Sequence, residues 1–345
     1  MELDSWYLEH LVCPQDHHRL HVAGDTLECT VGHVYPVVDG IPVMLWNGLK
    51  QTIELSRASL GLARDGKSKD GLYLDSMGLS EEEKQGVVRL SEAGVGEIDP
   101  AVSYLIAATN GIAYKHLIGR LQEYPIPDLP VPAGHGEMFL DVGCSWGRWC
   151  IAAARKGYYP VGIDPSLGAV MAARRVAAQM GVQAKYLVGD ARFLPFESDS
   201  MDRVFSYSVV QHFSRENARR VVAEIGRALK SGGDSYVQMP TVLGLRCLYH
   251  QARRGFYEAV GFDVRYWSVP ALRRLFSSSI GPTNINVDCF FGIGWQHSDL
   301  RFMPVPYKWI MMTSEALRHC SVFLPLLKYV ADSVYVSSVK QDALS

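Results

Sequence analysis

The chain lacks the features that mark several large protein classes. No run reaches the roughly 18 uninterrupted apolar residues of a membrane span. The opening Met1-Glu2-Leu3-Asp4 does not have the basic-then-apolar order of a secretory leader. There is no basic excess: 34 Lys and Arg stand against 36 Asp and Glu, a formal net charge of -2. Proteins that grip a phosphate backbone usually carry such an excess. This weighs against a nucleic-acid substrate, though it leaves room for a local basic patch. The seven cysteines are odd in number and scattered, which argues against a disulfide framework and makes a reducing cytoplasm the expected location. Internal repeats and low-complexity tracts are also missing.

What remains is an ordinary globular composition, 48% hydrophobic and 20% charged over 345 residues. That length holds one full α/β catalytic domain plus something smaller. Composition divides it into residues 1–48, short apolar runs broken by turn residues; 49–135, mostly helix and loop; and 136–340, the expected catalytic domain. Ala63 to Asp70 and Ser80-Glu81-Glu82-Glu83-Lys84 look solvated, the latter like a helix start. The proline-rich stretch from Tyr124 to Pro132 fits neither helix nor central strand.

Beyond it, strand and helix patterns alternate. Strands are expected at Met138–Val142, Tyr159–Ile163, Lys185–Val188, Arg203–Tyr207 and Ser235–Met239, with helices at Trp149–Lys156, Ala169–Met180 and Arg215–Leu229. Alternation of this kind predicts a doubly wound, mostly parallel sheet, whose ligands bind outside the carboxyl ends of the strands.

The chemistry concentrates at those ends. Leu140-Asp141-Val142-Gly143-Cys144-Ser145-Trp146-Gly147 places an acid and two glycines, four apart, where a strand turns into a helix. Glycines there permit a tight turn and close approach to a ligand, but many nucleotide-binding folds use such a turn. Asp164, ending the second strand ahead of Pro165, is placed to accept both hydroxyls of a ribose. Asp190, followed by Ala191 after the third strand, is placed to accept from an adenine amino group. A nicotinamide-dependent dehydrogenase would want the tighter Gly-x-Gly-x-x-Gly spacing, which Ser145 and Trp146 break.

Over residues 136–240 these motifs resemble the class I S-adenosylmethionine (AdoMet)-dependent methyltransferases. The resemblance implies a Rossmann-like, seven-stranded sheet and an AdoMet site. The backbone from Gly143 through Cys144 and Ser145 to Gly147 would line the methionine portion, beside Asp141. Asp164 with Pro165 would hold the ribose, and Asp190 with Ala191 the adenine. Val204 to Phe213 resembles the fourth strand and its loop, which brings in Tyr207. Ala228-Leu229-Lys230-Ser231-Gly232-Gly233 resembles the turn before the fifth strand. Helices between residues 78 and 122 would serve as a lid.

Residues 11–16 and 27–33 look like two halves of a zinc knuckle, similar to the small activator domain of tRNA methyltransferases. Cys13 and Cys29 are present, but Asp16 and Gly32 stand where cysteines are expected. His33 supplies a third ligand and Asp16 or His17 a fourth. The competing and preferred reading is a degenerate knuckle held by its own apolar core.

Methyl transfer needs an acceptor placed in line and, for a hydroxyl or amine, a base. His212, after the fourth strand, is the candidate base, against an equally good role as a packing residue. Tyr207, Tyr266 and His297 are weaker candidates. The loop Ser206-Tyr207-Ser208-Val209 lacks the Asn-Pro-Pro-Tyr pattern of enzymes that methylate planar amino nitrogens. The expected acceptor is therefore an oxygen or nitrogen of a small molecule, lipid-linked intermediate or saccharide. An RNA acceptor and a non-catalytic partner protein are the alternatives. Arg246, Arg253, Arg254 and Arg265, set among Tyr249, Phe256, Tyr266 and Trp267, suit an anionic acceptor or, more simply, a solvated basic face. The apolar run Val322 to Leu327 is expected to pack before a final strand, Ser333–Val339.

Overall fold

The computed structural model describes residues 3–48, 54–65, 71–94, 97–293 and 297–341. Expectations that fall on 66–70, and on the side chain of His297, lie outside what is described. The chain divides into two compact units, Met1–Ser200 and Met201–Ser345.

The first unit opens with α1 (Ser5–His10), capped by the Asp4 carboxylate, and four short strands: β1 (Leu20–Ala23), β2 (Thr26–Cys29), β3 (Val34–Val38) and β4 (Ile41–Met44). These run antiparallel to one another in order. Three helices follow: α2 (Glu54–Asp65), α3 (Glu81–Ala93) and α4 (Pro100–Asn110). The acidic run at Ser80 is a helix start, because Ser80 and Glu83 form a reciprocal capping box. The core then alternates β5 (Met138–Val142), α5 (Arg148–Arg155), β6 (Tyr159–Asp164), α6 (Leu167–Gln179) and β7 (Lys185–Gly189). Its strands lie in the order β1-β2-β3-β4-β7-β6-β5, with β4, β7, β6 and β5 parallel.

The N-terminal module is thus built into the sheet. β4 is buried at all four positions and extends the parallel strands by pairing Val43 with Val188 and Met44 with Gly189. The Tyr7 hydroxyl donates to the Tyr186 carbonyl at 2.8 Å, and the Val12 amide donates to the Pro195 carbonyl at 3.0 Å. One apolar cluster joins Ile41 and Val43 of the module to Leu167, Val170 and Val188 of the core.

The second unit contains β8 (Met201–Ser206), α7 (Arg215–Ala228), β9 (Leu229–Pro240), α8 (Leu245–Arg253), α9 (Val269–Ser279), β10 (Thr283–Cys289), α10 (Val305–Phe323) and β11 (Ser333–Val339). Its strand order is β8-β9-β11-β10. β8 and β9 are parallel, and β11 and β10 run antiparallel.

Three expectations are corrected. The described residues form eleven strands in place of seven. The module adds four, and the antiparallel β10–β11 pair closes the second unit. The stretch Ala228 to Gly233 is not a turn ahead of a strand, since β9 begins at Leu229. Its register jumps from Met201↔Leu229 to Arg203↔Asp234, so the loop-out sits inside the strand. Gly233 is required there, because a Cβ would lie 2.8 Å from the Asp202 carbonyl. Finally, Val322 to Leu327 does precede the last strand but is not packed: Phe323 is 84% and Leu326 78% exposed.

Candidate functional site

The carboxyl ends of β5 and β6 carry the first cluster. Asp141 on β5 is buried, and its Oδ1 has no hydrogen-bond partner; Oδ2 accepts weakly from the Cys150 thiol at 3.5 Å. Burial is the main cause that pushes this carboxyl up to about 7. Asp164 at the end of β6 is half-buried. Its Oδ2 accepts from the Ser145 amide at 3.0 Å and its Oδ1 from the Ser166 amide at 2.9 Å. Burial outweighs these bonds and holds it at about 6. Each Asp164 oxygen keeps a further lone pair for an outside donor.

The glycine turn is stapled to β6. The Gly143 and Cys144 amides both donate to the Ile163 carbonyl, at 2.8 and 3.1 Å. Gly143, Ser145 and Gly147 have φ of 81°, 46° and 80°. Ser145 is the strained member, held there by its bond to Asp164. Gly147 has no room for a side chain: a Cβ would stand 2.7 Å from the Tyr186 hydroxyl. The Cys144 side chain points into the core, where it packs with Cys150, Val170 and Tyr186. It therefore offers only its backbone to a ligand.

Asp190, at the end of β7, is engaged by its own loop. Its carboxylate is gripped by its near neighbour: Arg192 donates Nη2 to Oδ2 at 2.6 Å and Nε to Oδ1 at 3.0 Å, and the Arg192 amide adds a bond of 2.9 Å. Both side chains are buried. Three N–H donors thus occupy the carboxylate, so in this conformation Asp190 fixes the loop after β7 and keeps one lone pair for a further donor. Ala191 beside it is buried, and Phe193 stacks edge-on with Trp46 at 5.2 Å.

Two serines that the sequence did not single out shape the β6–α6 corner. Ser59 on α2 donates to the Pro165 carbonyl at 2.7 Å and accepts from the Leu167 amide at 2.9 Å. Ser76 accepts from the Gly168 amide at 2.8 Å. These hydroxyls satisfy the first amides of α6 from more than 90 residues away, so only the tertiary fold reveals them.

The four candidate metal ligands come together. Cys13, Asp16, Cys29 and His33 place their donor atoms within 4.8 Å of one another. His33 Nδ1 lies 3.4 Å from both sulfurs and 2.9 Å from Asp16 Oδ2, and Cys29 Sγ lies 3.6 Å from that oxygen. Tetrahedral zinc with bonds of about 2.0–2.3 Å requires donor–donor edges of about 3.3–3.8 Å. The cluster fits that ion with a small expansion of the His33–Asp16 edge. Tyr35, fully buried, donates to or accepts from Cys13 Sγ at 3.1 Å and is itself held by Gln15. His17, the alternative ligand, is not in the cluster.

In the second unit His212 ends the short helical turn after β8. Its Nδ1 sits 2.7 Å from the Phe262 carbonyl, which only a protonated Nδ1 can satisfy. Nε2 thus carries the lone pair and faces the Gln211 amide at 3.3 Å. The ring stacks on Phe262 at 3.8 Å, nearly parallel, and burial lowers its pKa from the ordinary value. Tyr207, read as a cofactor contact, turns its hydroxyl to Asp288 on β10 at 3.4 Å. Arg265 spends its guanidinium on the carbonyls of His212, Gly261, Asp263 and Ala259, and Arg254 on those of Tyr257 and Val264. These two arginines knit the loop that carries Phe262, whereas Arg253 stays on an exposed helix face.

Residues 139–233 match the family model described as a methyltransferase domain. A tRNA (carboxymethyluridine(34)-5-O)-methyltransferase of Saccharomyces cerevisiae is 29% identical over 139 residues, 39% of this chain and 45% of that one. A ubiquinone biosynthesis O-methyltransferase of Brucella ovis is 30% identical over 130 residues, 34% of this chain and 52% of that one. The match thus spans about half the length of these curated relatives. Among solved structures, a phosphoethanolamine N-methyltransferase of Haemonchus contortus is 16% identical with a TM-score of 0.46, covering 72% of this chain and 61% of that one. The strands and helices of residues 138–240 alternate as the sequence pattern predicts.

Proposed function

We propose that the protein is an AdoMet-dependent methyltransferase acting on an oxygen or nitrogen of a small molecule, lipid-linked intermediate or saccharide. The observation that carries this is the pair of strand-end carboxylates, Asp141 with an unpartnered buried oxygen and Asp164 anchored by two backbone amides. A buried carboxylate oxygen without a partner is costly, and a cationic ligand would offset that cost. Bound AdoMet would supply an activated methyl group. The chain's part is to receive the ligand's hydroxyls at Asp164, to set its cationic end near Asp141, and to exclude a side chain at Gly147. Arg192 keeps the adenine-side loop in place through Asp190.

His212 is the base in this reading. The Phe262 carbonyl fixes the tautomer, leaving Nε2 to take a proton from the acceptor. The test is S-adenosylhomocysteine release with candidate acceptors. His212→Gln should lower turnover by about 10²–10⁴ while leaving AdoMet affinity within a factor of about two; unchanged turnover would remove His212 from the reaction.

The Cys13–Asp16–Cys29–His33 cluster we assign to a structural zinc ion that ties the module's two loops, since the donor set and edges suit it. A second reading, an RNA acceptor, is favoured by the yeast tRNA-methyltransferase relative. Salt separates the two: RNA affinity must fall steeply as salt rises, and indifference to salt would exclude it.

A further inference from the structure

The second unit leaves a broad apolar face uncovered. Helix α10 is docked by one side only, through buried Met311 and through Ser314, whose hydroxyl accepts from the Phe290 amide at 2.9 Å. Its other side presents Val305, Trp309, Met312, Ala316 and Phe323 to solvent, at the 3- and 4-residue spacing of a single stripe. The stripe runs on into Leu324, Pro325 and Leu326, all exposed.

The start of α8 adjoins this loop. The Arg246 and Cys247 amides donate to Asp332 Oδ1 at 2.8 and 3.0 Å, and the Thr241 hydroxyl bonds to the Ala331 carbonyl. Exposed Leu243 and Leu245 therefore stand beside exposed Tyr329 and Val330. Phe256 and Tyr257, in the loop after α8, are also more than half exposed. Monomeric soluble domains rarely leave so much apolar side chain bare on neighbouring elements without a use for it.

Charge selects the occupant. Residues 243–262 and 305–330 together hold six Arg and Lys but only two Glu, within a chain of net charge -2. Glu315 pairs with Arg318 at 2.5 Å and with His319 at 3.0 Å, which leaves five Arg and Lys against Glu258. A second copy packed about a two-fold axis would set this positive surface against itself. An anionic lipid surface meets both needs, taking the apolar side chains into its interface and the cations against its headgroups. Trp309, Tyr257 and Tyr329 are the residue types that settle at that boundary. Among the described residues no helix is long and apolar enough to cross a membrane, so the geometry is that of a chain lying on the bilayer.

We propose that this face is an interfacial anchor for anionic membranes, with Phe323 and Leu326 as the inserted tip. The proposal stands apart from the methyltransferase reading, since it uses none of the AdoMet-site residues and its test measures no turnover.

The test is flotation of the full chain with vesicles of phosphatidylcholine alone or with about 30 mol% phosphatidylglycerol. Most of the protein should float with the anionic vesicles and little with the neutral ones. Raising salt from about 0.1 to 0.5 M should weaken the binding. F323S/L326S should lower the bound-to-free ratio by at least about tenfold, with circular dichroism and Tm unchanged because both side chains are exposed. Absence of flotation, equal flotation on neutral vesicles, or an unaffected double variant would each overturn the proposal. A concentration-dependent dimer in sedimentation velocity that the same variant abolishes would also overturn it, and would assign the face to a second copy.

Discussion

The proton count of the AdoMet site gives the sharpest prediction. In the free protein Asp141 sits at about 7 and Asp164 at about 6, both raised chiefly by burial. A cationic ligand beside them favours their ionised forms, so binding below pH 7 must release protons, and affinity must rise with pH. At pH 5.5 about one Asp141 in thirty and one Asp164 in four are ionised. At pH 7.5 most of both are, so the Kd for AdoMet should tighten about a hundredfold across that interval. Asp141→Asn should remove the larger share and leave a change of about fourfold. Calorimetric titrations in two buffers of different ionisation enthalpy would report the Kd and the released protons together. A Kd constant within about threefold over the interval, or one that tightens on acidification, would refute the reasoning. The same shift bears on stability. The unfolded Asp141 carboxyl loses its proton near 3.8 and the folded one near 7. Without ligand, stability should therefore decline as pH climbs between those values, by up to about 4 kcal/mol from this group, and Asp141→Asn should flatten the decline.

Further outcomes follow from other parts of the structure. Metal analysis of protein grown with zinc should give about one zinc per chain, and Cys29→Ser should lose it with a Tm drop of about 5–10 °C; metal-free protein of unchanged Tm would contradict the zinc assignment. Asp99, buried at the start of α4, accepts from the Ala101 and Val102 amides and from Arg175 Nε at 2.5 Å. Asp99→Ala should cost about 2–3 kcal/mol in urea unfolding, and a loss under about 1 kcal/mol would show that the cap and ion pair matter little. Arg265→Ala releases four backbone carbonyls, so proteolysis between Phe256 and Asp263 should quicken about tenfold while AdoMet affinity stays the same. An unchanged digestion pattern would mean that the loop is held by other contacts.

Much of the fold was legible because the core strands are short, apolar and punctuated. Met138–Val142 and Ser333–Val339 fall where alternation and turn residues place them. The extra strands were harder to read. β4, Ile41–Met44, contains a proline and reads as the end of a small module, and only its pairing with Val188 and Gly189 shows it to be part of the sheet. At the site, Asp141, Asp164 and the glycine turn are local motifs and could be read directly. Long-range partners could not: Ser59 and Ser76 cap α6 from distant loops, and the Phe262 carbonyl that sets the His212 tautomer lies 50 residues away. Arg192 was visible in the sequence beside Asp190, but whether it grips that carboxylate or faces solvent depends on burial. The exposed Phe323-Leu324-Pro325-Leu326 tip runs against the general rule that apolar runs pack, which is why the sequence pointed the other way.

The most direct test of the central claim is calorimetric titration of AdoMet into wild-type protein and Asp164→Ala near pH 7.5. The account predicts one site per chain in the wild type and at least about tenfold weaker binding in the variant, as two ribose-directed hydrogen bonds to a charged acceptor are lost. Wild-type protein that gives no heat of binding, or a variant that binds as tightly as wild type, would contradict it.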